Sequence, residues 1–382
     1  MKVLIVSLYP LLDPVRIRGG VEAAAFYLAK GLNTLNDVKV SVLCDTKRVS
    51  KVTKCSDNGI LVNYIPNPRI RVIPNLLLNV YRLRHEIVKM QPDIVHTHSP
   101  WGALASLRAG LPTVHTIHGV LHREERYLPS GLANRLNTRL VRFLHHKAIA
   151  SAHCCIAVSK YVKDTYAPIA RRIHVIPNAV DDAYFEIVGA PIPGRLLCVE
   201  YIGRLKNTLG SVRALHAVKK TYSNAELVIA GGVRDKRYYK EIAEYIACHG
   251  LEKSVHFLGQ IDQPRVLREY ACADIVCTFS WHETFSLTLA QGMAAGKAVV
   301  GSDCGGPADL IMNGETGYLV PPGDEQAFAA RCSELLSNRE LLEKMGRRAR
   351  EVAMERFRKE VVAAQTLSVY NQVLQGFRCA AS

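Results

Sequence analysis

Short apolar runs alternate with longer amphipathic stretches along almost the whole chain, and this rhythm limits the possible folds more than any other feature. In the first half, five short runs have the length and composition of buried parallel strands. They cover residues 3–8, 38–43, 93–96, 113–117 and 154–158. Helical periodicity lies between several of them, most clearly at 21–32 and 135–150. Strands that alternate with helices in this way predict a doubly wound α/β sheet.

The rhythm stops once and then starts again. Residues 177–194 are rich in proline and glycine, which is typical of a linker. A second set of strands is predicted at 196–202, 227–230, 255–258, 275–278 and 298–301, with helices at 211–221, 238–249, 264–272 and 286–295. Since such sheets bind ligands at the carboxyl ends of their strands, we expect a binding cleft between the two halves.

The expected domain organisation follows from these patterns. An N-terminal α/β domain is expected at 1–184, and a linker at 185–194. A C-terminal α/β domain is expected at 195–360. The chain should end in a helix at 361–382 that could return to the first domain.

Composition excludes several classes of protein. Hydrophobic residues make up 48% of the 382 residues and charged residues 22%, so a disordered chain or a fibre is excluded. No apolar run reaches the about 18 residues that span a bilayer, and the apolar start of the chain breaks too early for a signal peptide. We therefore expect a cytoplasmic protein. The eleven cysteines lack zinc-site spacing, so we expect free thiols and no metal, with one or two disulfides left open.

Positive charge is concentrated in the first half of the chain. The net charge is +15, and residues 1–185 carry 25 Lys and Arg against 12 Asp and Glu. An anionic partner is therefore expected there: lipid headgroups, a phosphorylated acceptor or, less favoured without a recognition motif, nucleic acid. Basic amphipathic stretches at 69–85 and at Arg135, Arg139, Arg142 and His146 indicate peripheral contact with an anionic membrane. An ordinary half-buried helix is the alternative for each.

Two motifs in the first half could carry chemistry. Gly19 and Gly20 follow the first predicted strand and open a helix, where glycine permits close approach to a phosphate and the helix offers free N–H groups. The spacing is not G-x-G-x-x-G, so a dinucleotide fold is not supported, and a simple turn is the alternative. His118 follows a later strand, where an imidazole could donate a hydrogen bond or carry a proton. A loop histidine without function is its alternative.

The second half holds a richer set of motifs. Arg204 and Lys206 follow its first predicted strand, and a guanidinium fork suits phosphate oxygens. Glu283 lies in the turn before a helix whose leading amides, at residues 285–287, would point at a bound anion. Gln291, two helical turns further on, could reach a pair of ribose hydroxyls. The glycine-rich runs between 305 and 324 are interpreted first as turns.

In this order, the motifs resemble those of the retaining glycosyltransferases of family 4, which have the GT-B fold. The resemblance covers nearly the whole chain, from the glycine pair at 19–20 and His118-Gly119 through residues 176–181 and 203–205 to the block at 283–296. It implies two Rossmann-like doubly wound domains that face each other across a cleft, with the N-terminal domain binding the acceptor and the C-terminal domain binding the nucleotide sugar. It also implies metal-independent transfer, with retained anomeric configuration, from a UDP- or GDP-sugar to a glycan or lipid-linked acceptor. No cofactor is implied besides the donor.

The resemblance also implies roles for individual residues. Catalytic roles are implied for His118 beside the reacting carbon, for Arg204 at the diphosphate and for Glu283 at the sugar hydroxyls. Contacts with the donor are implied for Gly19, Gly20, Arg204, Lys206, Gln260, Ile261, Glu283, Phe285, Ser286, Leu287 and Gln291. Because bond breaking leaves negative charge on the diphosphate, the guanidinium and the helix amides would stabilise it.

Two positions depart from the family pattern. Gln291 stands where the family usually has a second glutamate, which should cost about 1 kcal/mol for a changed hydrogen bond. Leu209 stands where a lysine is usual, and Lys206 is a candidate replacement, so Leu209→Lys should raise activity or leave it unchanged. These departures leave open a nucleotide-sugar-binding protein that has lost turnover. A sugar-nucleotide epimerase is a weaker alternative, since the order of motifs argues against it.

Overall fold

The computed structural model describes residues 1–12, 17–67, 74–127, 132–189 and 191–379, with the backbone alone at 74–77 and 132–137. The chain divides into two compact units. Unit 1 comprises Met1–Ala179 and Lys359–Ser382, and unit 2 comprises Val180–Arg358. The chain passes from unit 1 to unit 2 after Ala179 and returns to unit 1 after Arg358. The expected linker at 185–194 and the expected start of the final helix at 361 each lie a few residues beyond these points.

Unit 1 is built on an eight-stranded sheet. Its strands are β1 (Lys2–Val6), β2 (Lys39–Thr46), β3 (Thr53–Asp57), β4 (Ile60–Pro66), β5 (Ile94–Thr97), β6 (Thr113–Ile117), β7 (Cys154–Ala157) and β8 (Ile173–Val175). Its helices are α1 (Gly20–Asn33), α2 (Pro74–Met90), α3 (Pro100–Arg108), α4 (Leu121–Glu124), α5 (Leu132–Ser151), α6 (Lys160–Tyr166) and the last helix of the chain, Lys359–Cys379. A 3-10 turn covers Glu125–Tyr127.

The strand order in unit 1 is β3-β4-β2-β1-β5-β6-β7-β8. All neighbours are parallel except β3 and β4, which form an antiparallel hairpin at the edge. Asn58 and Gly59 close this hairpin, with φ of 49° and 87°, in the left-handed region that an Asn-Gly turn favours. The apolar rhythm did not predict the hairpin because β3 is largely exposed. Its Asn-Gly pair was the available signal.

The last helix is an integral part of unit 1. It packs on α1 so closely that a Cβ at Gly31 would come within 2.5 Å of the Lys359 carbonyl oxygen. Tyr370, which is fully buried, shares a 2.6 Å hydrogen bond between its hydroxyl and Nδ1 of His96. Glycine at position 31 is therefore required by the close contact of the two helices.

Unit 2 is built on a six-stranded sheet. Its strands are β9 (Arg195–Val199), β10 (Glu226–Ala230), β11 (Val255–Gly259), β12 (Ile275–Thr278), β13 (Ala298–Ser302) and β14 (Gly317–Val320). Its helices are α7 (Asp182–Phe185), α8 (Thr208–Val218), α9 (Lys236–Cys248), α10 (Gln263–Cys272), α11 (Leu287–Ala294), α12 (Pro307–Leu310), α13 (Glu325–Ser337) and α14 (Arg339–Phe357). A 3-10 turn covers Arg204–Lys206.

All strands of unit 2 are parallel, in the order β11-β10-β9-β12-β13-β14. The chain therefore leaves β9 toward one side of the sheet and returns to the other side at β12, which makes a topological switch point between these strands. Aspartates at 235, 262 and 324 cap the helices that follow them by accepting from main-chain N–H groups. Both units are doubly wound, so the predicted α/β fold class is confirmed.

The predicted elements agree with the observed ones to within a few residues. The predicted strand at 196–202 ends earlier, at Val199, because the chain leaves the sheet at Glu200. The predicted helix at 211–221 begins earlier, at Thr208. No helix in the described part of the chain is long and apolar enough to cross a membrane. All eleven cysteines are free thiols.

Candidate functional site

The switch point of unit 2 joins two motifs that are far apart in the sequence. The chain runs through residues 200–206 after β9 and through 279–286 after β12, and these two strands pair directly. The Trp281 N–H donates a 2.9 Å hydrogen bond to the carbonyl oxygen of Leu205, which fixes one loop against the other. Parallel strands thus bring both loops to one edge of the sheet, where such folds bind ligands.

Lys206 and Glu283 form an ion pair at this edge. The Lys206 ammonium donates to Oε1 of Glu283, and the Ser280 hydroxyl donates to the same oxygen at 2.8 Å. The side chains of Lys206 and Glu283 are only 16% and 12% exposed. Burial acts to lower the pKa of Lys206, but the charges of Glu283 and Glu200 outweigh it and hold the pKa above its ordinary value. The ammonium therefore stays charged.

Glu200 lies next to this pair and was missed by the sequence reasoning. It is 7% exposed, and neither carboxyl oxygen has a hydrogen-bond partner among the described residues. Burial raises the pKa of Glu200 to about 8, with Lys206 acting to lower it and Glu283 to raise it. At neutral pH this side chain is mainly an uncharged acid. The signal in the sequence was a single carboxylate inside the apolar run 196–202.

Arg204 belongs to the same loop, but its charge is paired elsewhere. Its guanidinium donates to Glu241, lies 3.5 Å from Asp235 and stacks over Tyr238 at 4.8 Å from the ring centroid. The side chain is 48% exposed. Of the two predicted cations, Lys206 contacts Glu283, whereas Arg204 is bound to carboxylates at α9 and at its cap.

The backbone of Glu283 is fixed by the glycine run that follows β13. The Gly306 N–H donates to the Glu283 carbonyl oxygen at 2.8 Å. A Cβ at Gly306 would come within 2.4 Å of the Phe285 nitrogen, closer than real Cβ contacts allow. The run that was interpreted as a turn therefore also holds the loop that carries Glu283.

The start of α11 has features of an anion site. Ser286 precedes the helix with φ of 74°, and its buried hydroxyl has no hydrogen-bond partner within the described chain. Phe285 is buried and packs edge-on against Phe357, with ring centroids 5.8 Å apart. The first N–H groups of a helix have no partner inside it and form its positive end. Residues 285 to 287 are thus rigidly placed beside Glu283.

Three further residues of unit 2 that were predicted to contact the nucleotide sugar lie in α11 or directly after β11. Gln291 is buried in α11, and its side-chain oxygen accepts a 3.0 Å hydrogen bond from the Tyr270 hydroxyl. Gln260 and Ile261 follow β11, and the Gln260 side chain lies beside Gly232 after β10. They are placed at the carboxyl ends of neighbouring strands.

Leu209 lies in the first turn of α8. Its N–H donates to the Tyr238 hydroxyl at 2.9 Å, and its side chain packs against the hydrophobic core of unit 2. The position where the family usually has a lysine is therefore occupied by a core-facing residue.

In unit 1, the glycine pair lies at the N-terminus of α1. A Cβ at Gly19 or at Gly20 would meet no atom of the described residues within 4 Å. Glu22, one turn further on, is buried, accepts from the Arg18 N–H at 3.0 Å and pairs with Arg48 at 2.6 Å. Within the described part of the chain, no close contact requires glycine at either position, and the proposed contact of this pair with the donor stays a prediction.

His118 follows β6 and lies half-buried beside the buried His98. Its Nε2 lies 2.7 Å from Nδ1 of His98, and the two rings are stacked. Burial lowers the pKa of His118 to about 4 and that of His98 well below its ordinary value. Each ring is therefore neutral at pH 7, and the N–H of one ring donates a hydrogen bond to the bare nitrogen of the other. Of the two roles considered for His118, this favours the hydrogen-bonding one.

The basic stretches of unit 1 are used in part within the unit. On α5, Arg139 is exposed, Arg142 pairs with Glu125 at 3.4 Å, and His146 lies edge-on to Tyr166. Residues 69–73 and the Arg135 side chain lie outside the described residues. Across the described parts of both units, no group of three or more His, Cys, Asp or Glu is arranged to hold a metal ion.

Comparisons with known proteins agree with this geometry. Residues 18–184 match the family described as Glycosyltransferase Family 4, and residues 189–352 match that described as Glycosyl transferases group 1. A glycogen synthase of Mycobacterium tuberculosis is 27% identical over 299 residues, covering 75% of this chain and 70% of the relative.

Solved structures share the fold over almost the full length. Sucrose-phosphate synthase of Thermosynechococcus elongatus superimposes with a TM-score of 0.78 at 19% identity, covering 98% of this chain and 99% of the other. The Anabaena protein HepE, in complex with UDP and glucose, gives a TM-score of 0.75 at 20% identity, covering 97% and 100%. The chain therefore belongs to the family 4 glycosyltransferases and is a transferase enzyme with the GT-B fold.

Proposed function

We propose that this glycosyltransferase moves a sugar from a UDP- or GDP-sugar to a glycan or lipid-linked acceptor, with retention of anomeric configuration and without a metal ion. One observation carries the proposal. A charged lysine, Lys206, and the leading amides of α11 lie beside Glu283 at the switch point of unit 2. This combination offers positive groups to a diphosphate and a carboxylate to sugar hydroxyls.

The diphosphate is the leaving group, and its charge grows as the sugar bond breaks. An ammonium has three N–H donors, so Lys206 can keep its bond to Glu283 while it donates to a phosphate oxygen. The amides at 285–287 need no rearrangement, because Gly306 already fixes their loop. Preorganised donors of this kind are usually the largest contribution to catalysis. They do here what a metal ion does in other transferases.

Arg204 is the second proposed contact with the diphosphate. To reach a phosphate, its side chain must leave Glu241 and Asp235. Both carboxylates are well exposed, and exposed pairs contribute only about 0 to 1 kcal/mol, so the exchange is inexpensive. In unit 1, His118 is proposed to hydrogen-bond a sugar hydroxyl as a neutral imidazole.

Calorimetric titration with UDP and GDP tests the donor assignment. UDP is expected to bind more tightly, since the similar Anabaena protein is described in complex with UDP and glucose. Donor hydrolysis and transfer should persist in EDTA, and NMR of the product should show the anomeric configuration of the donor. Activity that requires added metal, or an inverted product, would contradict the proposal.

A nucleotide-sugar-binding protein without turnover is the second candidate. It is favoured by Leu209, which faces the core, and by Gln291, whose side-chain oxygen is bonded to Tyr270. Tight binding of UDP without hydrolysis or transfer of any donor would establish this candidate. Turnover of one donor would exclude it.

Contact of unit 1 with an anionic membrane is also a proposal. Arg139 is exposed on α5, and the neighbouring Phe143 is 62% exposed, which places a cation and an apolar ring on one accessible stretch. Co-sedimentation with vesicles tests it. Binding to phosphatidylglycerol-containing vesicles but not to phosphatidylcholine vesicles is expected, and equal binding to both would contradict it.

Replacing Arg204 with alanine should weaken donor binding and abolish transfer. A charge-assisted contact with phosphate contributes about 1.5 to 3 kcal/mol, which corresponds to an about 10- to 150-fold weaker Kd for UDP. Arg213→Ala is a matched control, because Arg213 is 45% exposed, pairs with Glu325 and stacks over Tyr245 in the same way. Unchanged kinetics in Arg204→Ala would refute the assignment of this residue.

Leu209→Lys is expected to lower stability without improving donor binding, which reverses the expectation from the family pattern. The new ammonium would replace a leucine that packs against the core of unit 2, with a loss of about 1 to 2 kcal/mol in the free energy of unfolding. Urea unfolding and UDP titration measure the two effects. Leu209→Met, which conserves volume, should behave like the wild type. A gain in UDP affinity in Leu209→Lys would show that a lysine here does reach the diphosphate.

A further inference from the structure

Glu200 is a buried carboxyl group of unit 2 that the proposed mechanism does not use. A carboxyl group that is 93% buried and lacks hydrogen-bond partners among the described residues destabilises the fold, so its presence calls for an explanation. Its position is set by β9, since it is the first residue after that strand. The backbone after β10 packs closely against it, because a Cβ at Gly231 would come within 2.1 Å of the Glu200 carbonyl oxygen.

The protonation of Glu200 sets the net charge of the group that it forms with Lys206 and Glu283. Lys206 and Glu283 balance each other, so with Glu200 uncharged the three side chains carry no net charge. Ionised Glu200 would leave the group with a net negative charge beside the place proposed for the diphosphate. It would also attract the Lys206 ammonium, which already responds to the charge of Glu200.

The other titratable groups near Glu200 remain protonated at and above neutral pH. Burial raises the pKa of Tyr201 and of Tyr238. The hydrogen bond with Cys277 and burial raise the pKa of Cys198. The bond from Cys198 acts to lower the pKa of Cys277, but burial raises it on balance. The Lys206 ammonium, whose pKa is held above its ordinary value, stays charged over the same range and remains paired with Glu283.

We propose that Glu200 is a positioning residue of the donor site and works as an uncharged acid. In this form it leaves Lys206 bound to Glu283, with ammonium protons available to the diphosphate. Its ionised form competes with the diphosphate for the same ammonium. The inference rests on the proposed function, since it presumes that unit 2 binds the diphosphate at Lys206.

The test is calorimetric titration of the full chain with UDP at several pH values. In the wild type, the Kd for UDP should rise about fourfold between about pH 7 and about pH 8.5, as a group with a pKa of about 8 ionises. In Glu200→Gln, which imitates the uncharged acid, the Kd should stay constant over this range and match the wild-type value at pH 7 within about twofold. Any titration of UDP itself is common to both proteins.

Glu252→Gln is the control, because Glu252 is an exposed glutamate of the same unit. It should keep the wild-type dependence on pH. The free energy of urea unfolding gives a second readout. Burial raises the pKa of Glu200 in the folded state above its ordinary value, so the wild type should lose stability relative to Glu200→Gln as the pH rises toward about 8.

The outcomes separate this inference from the function on which it rests. Failure of the wild type to bind UDP or GDP at any pH would overturn the proposed function and this inference with it. Binding whose pH dependence is flat in the wild type, or is the same in Glu200→Gln, would overturn the inference alone. If Glu200→Gln does not fold, the pH profile of the wild type beside Glu252→Gln decides.

Discussion

Replacing Lys206 by methionine is expected to abolish sugar transfer and to destabilise unit 2. Methionine keeps most of the length of the side chain but removes its charge. Glu283, which is only 12% exposed, then loses its cation, and breaking a largely buried pair costs about 3 kcal/mol. Transfer should fall at least 100-fold, because one preorganised donor to the leaving group is lost. Urea unfolding and kcat/KM with the best donor measure the two effects.

A matched control for this substitution is Lys240→Met. Lys240 is also bonded to a glutamate, Glu244, but its side chain is 80% exposed, so stability and activity should change little. In the double variant Lys206→Met/Glu283→Gln, part of the stability should return because the uncompensated charge is removed, while transfer should stay lost. Wild-type activity in Lys206→Met would mean that Lys206 serves Glu283 alone and does not bind donor.

Replacing Gly306 by alanine should be nearly as damaging, although the side chain reaches no ligand. The new methyl group would lie about 2.3 Å from the carbonyl carbon of Thr284, so the loop that carries Glu283 must move. Strain of this kind destabilises by about 1 to 3 kcal/mol. A displacement of about 1 Å in a positioning loop can lower the rate about 100-fold. Unfolding measurements and the ratio of kcat to KM for the donor check both expectations.

Gly376→Ala provides the comparison for that variant. Gly376 lies in the last helix, where the nearest atom to a new Cβ is 3.8 Å away, on the flexible Arg172 side chain. Alanine should therefore leave activity unchanged and raise stability by up to about 1 kcal/mol through helix propensity. Wild-type activity and stability in Gly306→Ala would show that the loop adapts and that its fixed position does not matter.

Much of the fold could be predicted because parallel strands that are covered on both faces are continuous apolar runs. β6 and β12 have the bounds that the apolar runs predict, and the other central strands deviate by a few residues. Of the strands that were not predicted, β3, β8 and β14 lie at sheet edges, and β4 lies beside the edge strand β3. β3 is largely exposed, and β14 lies within a stretch whose glycines and prolines indicate turns. These three edge strands lack the apolar continuity on which the prediction depended, whereas β4 is mostly buried and was simply missed.

The candidate site could be predicted as a set of loops but not as a set of contacts. The motif order places Arg204, Lys206 and Glu283 at the carboxyl ends of strands, and the structure has all three there. Arg204 pairs with Glu241 of α9, which leaves Lys206 as the partner of Glu283. The spacing of residues in the sequence does not give the distance between Arg204 and Glu241. α8 begins at Thr208, three residues before the predicted start at 211. Leu209 therefore lies inside the helix, where its side chain packs against the core of unit 2.

The division of the chain has a consequence for its synthesis on the ribosome. Unit 2 is continuous in sequence from Val180 to Arg358, whereas unit 1 includes the last helix, which supplies Tyr370 to His96 and closes against Gly31. Unit 2 can therefore finish folding while unit 1 still exposes the apolar surface that this helix covers. The first part to emerge is the last to be completed, so nascent chains lacking the final helix should depend on chaperones.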